Sequence, residues 1–189
     1  MQDIIKTVVE DSLNVKRKLL DLTQEIESTG KILIGALRQE QKILVCGNGG
    51  SAADSQHMAC ELVGRFEKER RGLPCISLTT DSSILTAWTN DYDYESLFAR
   101  QISALGARGD VLVGITTSGK SKNVVYAIEE ARKKGMHVIA LLGKDGGVIK
   151  NMPEVASIVV PSYSTPRIQE CHIIIIHAWC KLIDEEFCC

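Results

Sequence analysis

Apolar residues recur at two different spacings along this chain, and the two spacings alternate. Continuous aliphatic runs, typical of strands that are buried on both faces, fall at 42–46, 75–78, 111–115, 137–142 and 157–160. Between these runs, apolar residues recur at the three- and four-residue spacing of helices. Strands that alternate with helices predict a parallel sheet covered on both faces. We therefore predict a three-layer, doubly wound α/β fold with a five-stranded parallel sheet.

The N-terminal segment precedes the first strand and is strongly amphipathic. Apolar positions between residues 3 and 27 predict a long helix with a wide apolar face, and a second helix is predicted at 32–37, after Gly30. That apolar face can pack on the chain's own sheet or on another subunit. We expect a single domain over 1–189, with residues 1–40 forming an N-terminal helical extension that is used in oligomerisation.

Composition excludes some classes of partner. The chain has 22 basic and 24 acidic residues among 189, so it has no basic footprint for nucleic acid. No apolar run reaches the roughly 18 residues that a membrane-spanning helix needs. The seven cysteines are odd in number and several lie in apolar patterns, which favours reduced thiols and a cytoplasmic location. We expect Cys46 and Cys60 to be small core residues.

The stretch Gly47-Asn48-Gly49-Gly50-Ser51 follows the first strand and opens a helix, for which Ser51 is the expected N-cap. A strand, a glycine turn and a helix start aim free backbone N–H groups at an anion, so a phosphate-bearing ligand is predicted. The stretch also fits a dinucleotide-binding pattern through Ala52. That pattern requires an acidic residue closing the second strand, but Glu67 and Glu69 lie in a charged loop before it. We expect no nucleotide cofactor.

A second candidate turn follows the third strand. Thr116-Thr117-Ser118-Gly119-Lys120-Ser121 places four hydroxyl groups and several backbone N–H groups at the start of a helix, which could hold a phosphate monoester. The alternative is an ordinary Ser/Thr helix cap. Two such turns at the carboxyl edge of one parallel sheet, where open α/β sheets bind ligands, favour the phosphate site.

Polar side chains on two distant helices could carry chemistry. His57 and Glu61 are four residues apart and share a helix face, whereas Gln169 and His177 are eight residues apart on the last predicted helix, at 165–187. Together they could bind a divalent metal or divide acid and base roles. Taken singly, His57 could be a surface residue and His177 a buried core histidine. The spacing does not exclude His172 from the role given to His177.

Several motifs occur together and in a fixed order. They are Cys46-Gly47-Asn48-Gly49-Gly50-Ser51, His57-x-x-x-Glu61, Asn90-Asp91, Thr116-Thr117-Ser118-Gly119-Lys120-Ser121, Gly143-Lys144-Asp145-Gly146-Gly147 and Arg167-Ile168-Gln169-Glu170. This set resembles the sugar isomerase (SIS) domain family and, more closely, the phosphoheptose isomerases within it. The resemblance covers nearly the whole chain. It implies a cytoplasmic homotetramer with sites between subunits that interconverts sedoheptulose 7-phosphate and D-glycero-D-manno-heptose 7-phosphate, the first step toward the heptose of lipopolysaccharide cores.

The resemblance also implies a role for each matched residue. Glu61 is the implied general base and His177 its acid/base partner. The resemblance thus assigns this role to His177 and not to His172. One Zn²⁺ per subunit is implied between His57, Glu61, Gln169 and His177. The implied substrate-binding residues are Asn48, Gly49, Gly50, Ser51, Glu61, Asp91, Thr116, Thr117, Ser118, Ser121 and Gln169.

Two features and one rival function qualify this interpretation. Trp88-Thr89 and Asp93 depart from the family pattern and could reshape the sugar pocket. The rival is a non-catalytic SIS protein of the kind that associates with the bacterial replication initiator. Such proteins resemble this chain over the same length but lack the counterparts of Glu61 and His177, which this chain has.

Overall fold

The computed structural model describes residues 1–188, and its backbone forms seven α-helices, five strands and two short 3₁₀ helices in that range. The helices are α1 (Gln2–Arg17), α2 (Thr23–Arg38), α3 (Gly50–Val63), α4 (Ser82–Asp91), α5 (Leu97–Leu105), α6 (Lys122–Lys133) and α7 (Thr165–Phe187). The strands are β1 (Ile43–Gly47), β2 (Cys75–Ser77), β3 (Val111–Thr116), β4 (His137–Gly143) and β5 (Val155–Val160). The 3₁₀ helices are Lys18–Leu22 and Ile149–Asn151.

The five strands form one parallel sheet in the order β2-β1-β3-β4-β5. Alternate strand residues face opposite layers: Val45 and Val113 pack with α2, α3 and α7, whereas Leu44 and Leu112 pack with α5 and α6. The predicted three-layer α/β fold is therefore confirmed. Because all strands are parallel, their carboxyl ends lie at one edge of the sheet, and the two candidate turns lie there together.

The N-terminal segment differs from its prediction. The predicted helix over 3–27 is divided into α1 and α2 by the 3₁₀ turn Lys18–Leu22, and Gly30 lies inside α2 instead of ending a helix. A Cβ at Gly30 would lie 2.9 Å from Leu182 Cδ1 and 3.3 Å from Trp179 Cδ1. Glycine at this position therefore lets α2 approach α7 closely, a packing requirement that the sequence pattern does not reveal.

Two smaller expectations are also corrected. Cys46 is buried as predicted, but Cys60 is exposed, because it lies on the face of α3 opposite the sheet. The predicted strand at 157–160 begins earlier, at Val155, where pairing with β4 starts. Within residues 1–188, the helices fall short of the combination of length and hydropathy that a membrane span requires.

Candidate active site

The turn after β1 forms the first wall of a cavity. Its backbone leaves the strand at Gly47 and enters α3 at Gly50, with Gly49 as the N-cap residue at φ +58°. The prediction that Ser51 caps the helix is wrong, because Ser51 is already in the first turn and is buried. A Cβ at Gly50 would lie 2.3 Å from Gln169 Nε2, so the missing side chain lets α7 reach the start of α3.

The turn after β3 forms the second wall and brings three of its hydroxyl groups together. Thr116 Oγ1 lies 3.0 Å from Ser121 Oγ and 3.4 Å from Ser118 Oγ. Gly119, at φ +63°, packs so tightly on the loop at 143–147 that a Cβ there would lie 1.9 Å from Gly146 O. The turn is thus fixed in place before any ligand binds, which lowers the entropic cost of binding.

Between these walls lies a cavity of about 280 Å³, which we call the anion cavity. It is lined by Asn48, Gly49, Gly50, Ser51, Ile115, Thr116, Thr117, Ser121, Thr165 and Gln169. Most of the predicted substrate-binding residues therefore meet here. Ser118 is not one of the lining residues, but its hydroxyl lies 3.4 Å from the hydroxyl of Thr116, which is. Asp91 lies at the end of α4, is exposed, and accepts a hydrogen bond from Asn90 Nδ2 at 2.9 Å.

The electrostatics of the anion cavity come from helix ends. The N-termini of α3, α6 and α7 reach its lining at Gly50, Ser121 and Thr165, and each contributes free N–H groups and a positive partial charge. Among the described residues, no lysine or arginine lines the cavity. The two lysines that flank Ser121 in sequence are both paired elsewhere, Lys120 with Asp145 at 3.4 Å and Lys122 with Glu95 at 2.8 Å. The cavity suits an anion that is held by dipoles and hydroxyl groups.

Thr165 is a lining residue that sequence reasoning missed. The sequence places it at the start of the last helix, but spacing alone does not show that this helix begins beside the other two. The available signal was a hydroxyl residue directly before Pro166 at a helix start.

A second group of polar side chains, the histidine cluster, consists of His57, Glu61 and His177. His57 Nε2 lies 3.1 Å from Glu61 Oε1 on α3 and 3.0 Å from His177 Nε2 on α7. The two imidazole rings have centroids 5.0 Å apart, and the Phe66 ring centroid lies 5.4 Å from that of His177. The His57 side chain is 44% exposed and that of Glu61 20%. The cluster is therefore open to solvent and within reach of a ligand.

His172, the rival to His177, lies in the core. It is fully buried, and its Nε2 is 2.9 Å from Leu142 O. Burial lowers the pKa of His172 to about 4, although the hydrogen bond to Leu142 opposes that shift. His172 is therefore neutral at pH 7, donates through Nε2, and serves to attach α7 to β4.

Gln169, the fourth predicted metal ligand, packs at the start of α3 and takes no part in the contacts given for the histidine cluster. Gln169 lies eight residues before His177, about 12 Å along the helix axis, and its amide packs on Gly50. The anion cavity and the histidine cluster are thus two regions on the same pair of helices. On α3, His57 lies seven positions after Gly50, so the two regions are separated by about 10 Å along the helix axis.

The histidine cluster supplies donor types that zinc binds. Two imidazoles and a carboxylate are a ligand combination that zinc accepts at catalytic sites. Within residues 1–188, however, no three His, Cys, Asp or Glu side chains are arranged to hold a metal ion. His57 contacts both partners, whereas Glu61 and His177 do not pair with each other, so the three groups form a chain of contacts. The residues fit zinc in donor type and do not form a closed coordination shell.

Asp54 is a further polar residue that the sequence analysis did not single out. It lies on α3 between Gly50 and His57, and its Oδ2 is buried without a hydrogen-bond partner in the described part of the chain. Burial raises the pKa of Asp54 to about 6, and the nearby His57 works against that shift. Asp54 therefore adds a second carboxyl group, besides that of Glu61, to the helix that carries both regions.

Comparisons with known proteins agree on one family. The family model described as the SIS domain matches residues 10–143. The phosphoheptose isomerase of a Nitratiruptor species is 54% identical over 187 residues, which cover 99% of this chain and 100% of that relative. Solved phosphoheptose isomerases from Neisseria gonorrhoeae and Francisella tularensis are 43% and 39% identical, with TM-scores of 0.92 and 0.94, over 97% of this chain and 98% of theirs. The chain belongs to the SIS domain family and, within it, to the phosphoheptose isomerases.

Proposed function

We propose that this enzyme interconverts sedoheptulose 7-phosphate and D-glycero-D-manno-heptose 7-phosphate by proton transfer through an enediol. The observation that carries the proposal is the separation of the anion cavity from the histidine cluster, about 10 Å along α3. With carbon–carbon bonds of about 1.5 Å, an extended seven-carbon chain with phosphate on C7 places C1 and C2 at a similar distance from phosphorus. A phosphate in the anion cavity would thus bring the reacting carbons to the cluster.

The proposed phosphate contacts use hydroxyl and backbone groups. Ser51, Thr116 and Ser121 bind the phosphate oxygens through their hydroxyls and Thr117 through its backbone, while the Ser118 hydroxyl, 3.4 Å from Thr116 Oγ1, supports the Thr116 hydroxyl. The N-termini of three helices supply the balancing positive potential. Asn48 and Asp91 bind sugar hydroxyls; Asn48 lines the cavity, whereas Asp91 lies at the end of α4.

Two groups of the histidine cluster move the protons. Glu61 removes the proton from C1 of the ketose and returns it to C2, which requires a carboxylate within reach of both carbons. His177 donates a proton to the C2 oxygen and accepts one from the C1 hydroxyl, so the enediol stays close to neutral. The contact from His57 to both side chains orients them relative to each other.

A zinc ion is part of the proposal on the basis of donor type. His57, Glu61 and His177 would hold it, with Gln169 as a fourth ligand, and the bound ion would act as a Lewis acid toward the substrate oxygens. A carboxylate that binds a metal is a weaker base, so Glu61 would have to bind through one oxygen and keep the other free for the carbon-bound proton.

We further propose a cytoplasmic homotetramer. The α1 helix exposes a row of large apolar side chains, of which Ile4 and Ile5 are 68% and 64% exposed and Val8, Val9 and Leu13 about half exposed. Such a row is typical of a protein–protein contact. The cysteines among residues 1–188 are all free thiols, which agrees with a reducing compartment.

A direct assay tests the proposed reaction. The purified protein is incubated with sedoheptulose 7-phosphate, with and without added Zn²⁺, and ¹H NMR follows the anomeric signals of the aldose product. We expect conversion to an equilibrium mixture, approached from either sugar. Absence of conversion under both metal conditions would contradict the proposal and favour a non-catalytic binding role.

A further inference from the structure

The loop between α4 and α5 contacts one of the residues that line the anion cavity. Tyr94, in this loop, donates a hydrogen bond from its hydroxyl to Asn48 Oδ1 at 2.7 Å. Its ring is about half exposed, so the contact does not belong to the hydrophobic core. Neither the sequence motifs nor the proposed mechanism gives Tyr94 a role.

Asn48 is held by a second residue as well. Its Nδ2 donates to Asn123 Oδ1 at 2.9 Å, and Asn123 Nδ2 donates back to Asn48 Oδ1 at 2.8 Å. A primary amide has two N–H donors and an oxygen that accepts two hydrogen bonds. Tyr94 and Asn123 therefore saturate the oxygen of Asn48, while one N–H of Nδ2 stays free. Because Asn48 lines the cavity, the group that it can offer a ligand is a donor.

The two departures from the family pattern hold this loop in place. Trp88 Nε1 donates to Ser96 Oγ at 2.8 Å, and Asp93 Oδ1 accepts the backbone N–H of Ser96 at 2.6 Å. Trp88 also stacks on Tyr92, with ring centroids 4.1 Å apart. Both departures therefore fix the segment that carries Tyr94, and neither side chain lines the cavity.

We propose that Tyr94 is a positioning residue for sugar-phosphate binding, which fixes the Asn48 amide so that it presents an N–H donor to an oxygen acceptor of the substrate. Without the Tyr94 hydroxyl, only the pair with Asn123 orients the Asn48 amide, and a joint flip of the two amides keeps both of their mutual hydrogen bonds while turning Asn48 Oδ1 toward the cavity. That orientation would repel a phosphate or hydroxyl oxygen lone pair. The inference rests on the proposed function, because it concerns the substrate of the same cavity.

Replacing Tyr94 with phenylalanine removes only the hydroxyl. We expect Tyr94→Phe to raise KM for sedoheptulose 7-phosphate about two- to tenfold, the effect of losing one neutral hydrogen bond, with kcat and Tm nearly unchanged. A rise in KM alone indicates lost binding that is equal in the ground and transition states. The matched control is Tyr126→Phe on α6, whose hydroxyl makes no hydrogen bond within residues 1–188. An unchanged KM in Tyr94→Phe would overturn the proposal.

A double-mutant cycle separates positioning from direct contact. If Tyr94 acts through Asn48, Tyr94→Phe changes nothing further in an Asn48→Ala background. A full KM effect in that background would overturn the proposal in favour of direct contact with the substrate. If Asn48→Ala is too slow for kinetics, the cycle is measured from dissociation constants of sedoheptulose 7-phosphate. Failure of the proposed function would appear in the unmodified enzyme, which would not turn over this sugar at all.

Discussion

Arg70 and Asp184 form an ion pair whose side chains are both completely buried, with 2.9 Å between Arg70 Nε and Asp184 Oδ1. Arg70 also donates to Glu61 O at 2.7 Å and to Leu62 O at 2.9 Å. The pair therefore joins the end of α3, which carries His57 and Glu61, to α7, two turns beyond His177. The geometry of the histidine cluster depends on this connection between the two helices.

Breaking the pair should destabilise the protein strongly. Arg70→Met leaves a buried carboxylate without its partner, so we expect a loss of about 3–5 kcal/mol in the free energy of unfolding, measured by urea denaturation. The double variant Arg70→Met/Asp184→Asn removes the stranded charge and keeps an acceptor for the Glu67 and Lys68 N–H groups, so it should recover part of the loss. A cost below about 1 kcal/mol for the single variant, the value of an exposed pair, would contradict this account.

Asp54 should make stability depend on pH in a defined direction. Its pKa is raised to about 6 in the folded protein from an ordinary value of 3.8. The ionised carboxylate therefore destabilises the fold above pH 6, and that cost disappears as the pH falls toward 4. We expect Asp54→Asn to have a higher Tm than the unmodified protein at pH 7–8 and a similar Tm near pH 4, both measured in EDTA. A difference in Tm that is the same at every pH would show that burial of the charge is not its cause.

His172 should change the stability of the fold with pH in the opposite direction to Asp54. Its pKa is lowered from 6.5 to about 4, so the stability contributed by the neutral ring is complete above pH 6.5 and is lost as the pH falls toward 4. His172→Gln, which keeps a donor for Leu142 O, should remove this pH dependence, worth at most about 3 kcal/mol. Urea denaturation of both proteins at pH 4.5 and pH 7.5 checks it. Equal acid sensitivity in the two proteins would mean that His172 is not the group responsible.

The exposed face of α1 should control self-association. Ile5 is 64% exposed in the single chain, so Ile5→Lys costs the isolated subunit little but places a charge in the proposed subunit contact. We expect a tetramer for the unmodified protein and smaller species for Ile5→Lys by light scattering after size-exclusion chromatography. Thr7→Lys, on the polar side of the same helix, should remain tetrameric. If Ile5→Lys assembles like the unmodified protein, the contact lies elsewhere.

The sheet, the two phosphate-type turns and the last helix could be predicted from local pattern. Continuous aliphatic runs indicate strands that are buried on both faces of a sheet. The predicted bounds of α7 match those of the observed helix. The sequence pattern predicts the wrong position for Gly30 relative to the helix, because a glycine within a helix and a glycine that ends one look alike in sequence. What distinguishes them is the approach of Trp179 and Leu182, which are distant in the chain.

The sequence predicts most of the residues that form the candidate site, but it predicts less well how those residues are placed relative to one another. Glycine turns and the His57–Glu61 spacing identify groups that share one element, and the resemblance joined them to α7. The position of Gln169 on Gly50 depends on how α3 and α7 pack, and the Tyr94–Asn48 hydrogen bond depends on the path of a loop. Neither relationship has a periodicity that a single sequence can reveal.

The central claim is that Glu61 is the base that moves a proton between C1 and C2. Glu61→Gln keeps the size of the side chain and its contact with His57 but cannot accept a proton. The ¹H NMR conversion of sedoheptulose 7-phosphate, measured at equal concentrations of folded protein, should slow at least about 100-fold, with Tm and assembly unchanged. Turnover by Glu61→Gln within a few fold of the unmodified enzyme would contradict the claim and assign the proton transfer to another residue.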